Sequence, residues 1–89
     1  MTSKNLKSEG MTIKIYGADW CHDCVTAKKF LSEKGIEFEY IIITNNTEAI
    51  DFVEKINNGK RVIPTLEIDG IAYSNPGING LMEILDNKA

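Results

Sequence analysis

The order of apolar patterns in this 89-residue chain predicts an α/β domain: a four-stranded mixed sheet flanked by three helices, in the order β-α-β-α-β-β-α. Three observations carry that prediction. Alternation over residues 12–16 is followed by helical spacing and then by a second strand-like run, so the first β-α-β unit must be a right-handed parallel crossover. An Asp69-Gly70 pair between two short apolar runs has the chemistry of a primed hairpin turn, which adds two antiparallel strands. A closing run with Ile78, Leu81, Met82 and Leu85 at helical spacing supplies the last helix.

Each element has its own local grounds. Residues 12–16 alternate as a half-buried strand does, and Gly17 ends them. Val25, Ala27, Phe30 and Leu31 mark the inward side of a helix over residues 25–34, closed by Lys34-Gly35 as a basic last turn and a C′ glycine. Residues 37–43 begin as an alternation and end as the apolar run Ile41-Ile42-Ile43, the pattern of a strand entering a buried sheet. Asn45 with Glu48 three residues later forms a possible capping box. Behind it, Ala49, Ile50, Val53 and Ile56 carry the inward face of a second helix, which Asn57-Asn58-Gly59 ends. Residues 65–68 and 71–73 are the hairpin strands. Asn75-Pro76 reads as an N-cap with a proline at the first helical position.

Residues 1–10 are polar and mixed in charge, and are expected to be a disordered leader, leaving 11–89 as one domain. A hydrophobic content of 43% provides material for a core. The net charge of −3, without a basic stripe, argues against nucleic acid or an anionic membrane as partner. Lys28-Lys29 reads as a solvated helix face. No signal-peptide core and no membrane-spanning run is present, so the expected location is the cytoplasm.

The chemistry is concentrated in Cys21-His22-Asp23-Cys24, which holds both cysteines of the chain. A CxxC between a strand and a helix points to thiol redox chemistry. The first turn of a helix presents unpaired N–H groups and the positive end of the macrodipole, an environment that favours a thiolate. The alternatives are two buried structural cysteines or half of a zinc site. A closed zinc site needs about four ligands, and only His22 and Asp23 lie near enough in the loop to add to the thiols. A disulfide across so short a loop would constrain the unfolded chain little.

The order of elements, with Trp20-Cys21-His22-Asp23-Cys24 near the start and Val62-Ile63-Pro64-Thr65 before the third strand, resembles the glutaredoxin family of the thioredoxin-like fold. The likeness covers roughly residues 11–85. Asn58-Gly59-Lys60-Arg61 before the proline, and Ser74-Asn75-Pro76 after the hairpin, look most like mycoredoxins and related bacterial glutaredoxin-like proteins. The resemblance implies a cis Ile63-Pro64 bond facing the cysteines, with the Ile63 backbone free to pair with an extended peptide or thiol. It further implies Cys21 and Cys24 as the catalytic pair and Trp20, Arg61, Ile63, Pro64 and Asn79 as substrate-binding residues. No metal-binding residue is assigned.

The chain also departs from the family pattern. Many glutathione-using members carry a cation where this chain has Ala18. Many also carry an aspartate pair where this chain has Gly77-Ile78-Asn79-Gly80. Two charge contacts to glutathione are therefore missing. The usual Pro-Tyr between the cysteines is His22-Asp23; a cationic His22 favours the Cys21 thiolate, and an ionised Asp23 opposes it.

The expected function is that of a monomeric thiol–disulfide oxidoreductase, with no bound cofactor, that reduces protein or small-thiol mixed disulfides and contributes to cell redox homeostasis. Its electron donor would be a low-molecular-weight thiol (glutathione or another) or a flavoprotein reductase of the thioredoxin-reductase type. The alternative is an iron–sulfur or metal carrier in which Cys21 of two protomers and two external thiols hold a cluster, since one protomer lacks the usual four cysteines.

Overall fold

A computed structural model describes residues 11–88. The leader expected over residues 1–10 lies outside them. The elements are β1 (Ile13–Gly17), α1 (His22–Glu33), β2 (Glu39–Ile42), α2 (Thr47–Ile56), β3 (Thr65–Ile68), β4 (Ile71–Ser74) and α3 (Gly77–Lys88). The strands form one sheet in the order β2-β1-β3-β4. β1 and β2 are parallel, and the other two pairings are antiparallel. This is the predicted β-α-β-α-β-β-α arrangement.

Strand alternation divides the core between the two faces of the sheet. Ile13 and Ile15 of β1 and Leu66 and Ile68 of β3 pack with Ala27 and Leu31 of α1 and Leu81 of α3. Tyr16 points the other way and joins Ile43, Ala49 and Val53 beneath α2, with its ring stacked on Phe52 at 4.7 Å. Ile15, Leu31, Leu66, Ile68, Leu81 and Val53 are fully buried, and each contributes about 1.5–3 kcal/mol of transfer free energy. Helices therefore cover both faces, α1 and α3 on one and α2 on the other.

Several local expectations shift. α1 begins at His22, three residues earlier than the apolar spacing suggested. Its buried line is Cys24, Ala27 and Leu31, which leaves Val25 exposed. β2 is an edge strand of four residues, so Ile42 faces outward and only Ile43, just past its end, is buried. The cap of α2 is Asn46, whose side chain accepts from the Ala49 N–H at 3.1 Å. Asn45 instead takes a left-handed φ of 59° that turns the chain into the helix. Ile56 and Met82 are exposed; Phe52 and Ile84 take up the packing expected of them.

The Asp69-Gly70 turn has positive φ at both central positions, 53° and 85°, the requirement of a type I′ hairpin. Asp69 also ties the hairpin to the start of β1. Its N–H donates to Thr12 O, and its carboxylate accepts from Thr12 N–H, each at 2.9 Å.

Asn57, the C-cap of α2, fastens three segments. Its amide nitrogen donates to Val53 O at 2.7 Å and to Thr65 Oγ1 at 3.2 Å, and its amide oxygen accepts from the Ser74 hydroxyl. Thr65, fully buried, donates its hydroxyl to Val62 O. This network holds the start of β3, the end of β4 and the loop before Pro64 in one register. Asn57→Ala is expected to lower stability by about 1–3 kcal/mol, since it leaves part-buried polar groups unmatched. Urea denaturation measures this, and an unchanged midpoint would show that the network is energetically idle.

Candidate functional site

The cysteines lie where β1 passes into α1. Cys21 is the N-cap residue of the helix, in extended conformation, and its sulfur accepts from the Cys24 N–H at 3.3 Å. A thiol thus occupies the place usually given to a serine or aspartate oxygen, with the positive end of the helix behind it. Cys21 is half-buried and Cys24 has 0% exposure, and both are free thiols. His22 and Asp23 between them are exposed.

Cys24 is enclosed by the last turn of β1 and by β2. A methyl group added at Gly17 would lie 2.6 Å from Cys24 Sγ and 3.1 Å from the Tyr40 hydroxyl oxygen. Sulfur and phenol therefore converge on the bare backbone of Gly17. Tyr40 comes from β2, opposite Ile15, and donates its hydroxyl to Ala18 O at 3.0 Å. The same carbonyl accepts from the Cys21 N–H at 3.2 Å. Lys28 of α1 lies over the Tyr40 ring, 4.2 Å from its centre; it packs as a cation–π partner rather than pointing into solvent as the sequence suggested.

Burial pushes the Cys24 thiol up from an ordinary 9.0 to about 12, and its contact with Cys21 pushes the same way; hydrogen bonds from the Ala18 backbone and from Tyr40 act in the opposite direction. Tyr40 is likewise pushed up from 10.0 to about 12, first by burial and then by the neighbouring Cys24 and Asp19. Both groups are therefore protonated at neutral pH. The site offers one accessible sulfur at a helix N-terminus and, one turn in, a second that is enclosed and holds its proton.

The second wall is the loop before β3 together with the turn after β4. The Ile63-Pro64 bond is cis, as the resemblance implied, and Pro64 is fully buried. Its carbonyl accepts from the Asn75 N–H at 2.7 Å. The Asn75 amide donates to the Asp23 carboxylate at 3.3 Å, joining the CxxC loop to the turn after β4. Asn75 makes both bonds from a left-handed φ of 40°, so it braces the turn, and the helix starts two residues later at Gly77. An open groove between the walls is lined by Asp23, Thr26, Ala27, Pro64, Asn75 and Ile78, among others.

The remaining expected substrate residues are placed unevenly. Trp20 is 78% exposed, next to Cys21. Ile63 is half-buried and packs on the α2 side of the sheet. Arg61 is drawn onto α2, with Nε 2.7 Å from Glu54 Oε2. Asn79 is exposed on α3 and does not line the groove; Asn75, four residues earlier, does. Tyr40, Gly17 and Asn75 were not identified as site residues from the sequence. Gly17 ending its strand directly before the CxxC loop, and Asn75 within the Ser74-Asn75-Pro76 stretch that carries the family resemblance, were the hints the sequence held. Among the described residues, no group of three or more His, Cys, Asp or Glu side chains is placed to hold a metal ion, and no helix is long and apolar enough to cross a membrane.

A free dithiol at a strand-to-helix junction, a mixed four-stranded sheet and a cis proline before its third strand define a thioredoxin-like protein with thiol redox chemistry. The sequence profile of the glutaredoxin family matches residues 13–71, and the chain belongs to that family. It is 35% identical over 65 residues to mycoredoxin 1 of Corynebacterium glutamicum, a match covering 72% of this chain and 80% of that one. The structure resembles glutaredoxin 1 of Francisella tularensis with a TM-score of 0.62 and 28% identity, over 88% of this chain and 95% of that one. It resembles the thioredoxin-like protein BC3987 with a TM-score of 0.71 and 23% identity, over 82% and 99% of the two chains; that likeness is one of fold.

Two outcomes are expected. Gly17→Ala forces the new methyl against Cys24 Sγ and should cost about 1–3 kcal/mol, the usual range for overpacking; equal denaturation midpoints for the two proteins would contradict the close approach. The second concerns pH. The fold weakens Cys24 and Tyr40 as acids, so the folded protein keeps protons that the unfolded chain begins to release near pH 9.0, the ordinary value for a thiol. Their contribution to stability is complete below that pH and is lost as pH rises toward about 12. The reduced protein should therefore lose stability steeply across this interval, and Cys24→Ser should flatten the slope. A slope unchanged by that substitution would show that Cys24 is not held protonated.

Proposed function

We propose that the protein is a dithiol thiol–disulfide oxidoreductase of the cytoplasm, acting as a monomer on disulfide-containing proteins or on their mixed disulfides with small thiols. The observation that carries this reading is the asymmetry of the two sulfurs, one partly exposed at the helix N-terminus and one fully enclosed. Cys21 attacks a substrate disulfide as the thiolate and forms a mixed disulfide, expelling one substrate thiolate. Cys24 loses its proton and attacks Cys21 Sγ. The Cys21–Cys24 disulfide forms, and the second substrate sulfur leaves with the electron pair and takes up a proton. Two equivalents of an external thiol, which leave as its disulfide, or a flavoprotein reductase then return two electrons to the pair.

Trp20 supplies apolar surface beside the reacting sulfur, and the Ile63–Pro64 segment presents backbone for an extended substrate to pair with. The groove is an unfavourable place for glutathione carboxylates. Asp23 contributes a negative charge to its wall, Ala18 is buried and uncharged, and Arg61 is engaged by Glu54. Each charged hydrogen bond not made forgoes about 1.5–3 kcal/mol. A thiol without fixed carboxylates, or a reductase acting directly on the disulfide, fits this wall better. The resemblance to a mycoredoxin supports a donor other than glutathione.

The test is substrate reduction by the wild-type protein and two variants, followed by mass spectrometry. Cys21→Ser should abolish turnover, whereas Cys24→Ser should accumulate an adduct of one substrate thiol on Cys21. Glutathione should recharge the wild-type protein less efficiently than a thioredoxin-type reductase. Full activity in Cys21→Ser, or an adduct found first on Cys24, would overturn the assignment. Isolation as a coloured dimer holding a cluster would favour the carrier reading instead.

A further inference from the structure

Tyr40 has no part in the chemistry described so far, yet its hydroxyl reaches the least accessible reactive atom of the site. The phenol comes from β2, outside the helix that carries both cysteines. Its oxygen and Cys24 Sγ lie 3.1 Å and 2.6 Å from the point that a methyl group on Gly17 would occupy, and its proton rests on the carbonyl of Ala18, a residue that is itself buried. The ring is kept in place by Ile15 beside it in the sheet and by Lys28 above it. A buried thiolate is costly unless donors face it. The groups around Cys24 that can donate are the Ala18 backbone and Tyr40.

We propose that Tyr40 is the positioning residue for the second thiol: its hydroxyl turns from Ala18 O to Cys24 Sγ when that sulfur ionises, and so stabilises the resolving thiolate. The inference rests on the reading of Cys24 as the thiol that resolves the mixed disulfide. While Cys24 is protonated, the phenol proton belongs to Ala18 O and a lone pair of the phenol oxygen faces the thiol. When the thiol proton departs to solvent, rotation about the C–O bond brings the phenol proton to the sulfur. The thiolate then attacks Cys21 Sγ, the bond from Cys21 to the substrate sulfur breaks, and the departing sulfur takes the electron pair and a proton. Tyr40 is neutral throughout. Burial keeps its own pKa at about 12, so it acts as donor and not as base. Other charged or titratable groups facing this pair are Lys28 over the ring and Asp19 and Cys21 on the loop side. Tyr40→Phe changes none of them.

An aromatic disulfide whose released thiolate is coloured separates the two steps in a stopped-flow experiment. Attack by Cys21 releases one equivalent, and resolution by Cys24 releases the second. Tyr40→Phe, which keeps the ring and its packing, should slow the second phase about tenfold, the effect of one charged hydrogen bond. It should shift that phase's pH profile upward by about one unit and leave the first phase unchanged. A second phase with the wild-type rate and pH profile, or an equal loss in both phases, would overturn the role of Tyr40 while leaving the dithiol mechanism standing. A wild-type protein with no second phase would overturn that mechanism, and the role of Tyr40 with it.

Discussion

The contact between Gly17 and Cys24 is the constraint around which the site is arranged. A strand can approach the first turn of the following helix this closely only where its last residue lacks a side chain; the 2.6 Å separation that a methyl group would have from Cys24 Sγ leaves no alternative. Because β1 ends there, Ala18 is drawn into the interior, and its carbonyl collects both the Cys21 N–H and the Tyr40 hydroxyl. The loop is thereby fixed at both ends, and the helix begins with a sulfur in the capping position. Accessibility and enclosure of the two thiols follow from one close approach.

A second set of contacts positions the opposite wall without touching the cysteines. Asn57 joins the end of α2 to β3 and β4, while Asn75 joins the turn after β4 to Pro64 and to Asp23. The groove is therefore framed by elements distant in sequence: α1, the start of β3 and the start of α3. Its charge is set by the same residues that brace it. Asp23 is both a partner of Asn75 and the carboxylate in the wall, so the bracing contact and the acidic character of the groove share one side chain.

Much of this was legible in the sequence because it is written in local patterns. The order of all seven elements, the Asp69-Gly70 hairpin and the two cysteines at a strand-to-helix junction depend on spacings of a few residues. The cis bond at Pro64 followed from family resemblance, which base rates for X-Pro bonds would not have supplied. What escaped notice depends on tertiary neighbours. Val25 was expected on the inward side of α1, and only the placement of that helix on the sheet leaves it exposed. Tyr40 sits in an unremarkable alternating run and becomes a site residue because β2 is parallel to β1 at this register. Asn75 precedes a proline in a sequence typical of a helix start, but the turn needs its left-handed backbone.

Trp20 carries one more implication. It is the chain's single tryptophan, and 78% of it is already in water in the folded state. Unfolding changes the polarity around such an indole very little, so the emission wavelength is a poor gauge of whether the chain is folded. Its neighbour in sequence is Cys21, and a sulfur beside an indole quenches its excited state to a degree that depends on whether the sulfur is thiol or disulfide. A change in its emission intensity on oxidation of the cysteines would therefore report their redox state, while its wavelength reports little about folding. Secondary-structure circular dichroism has to supply the other half.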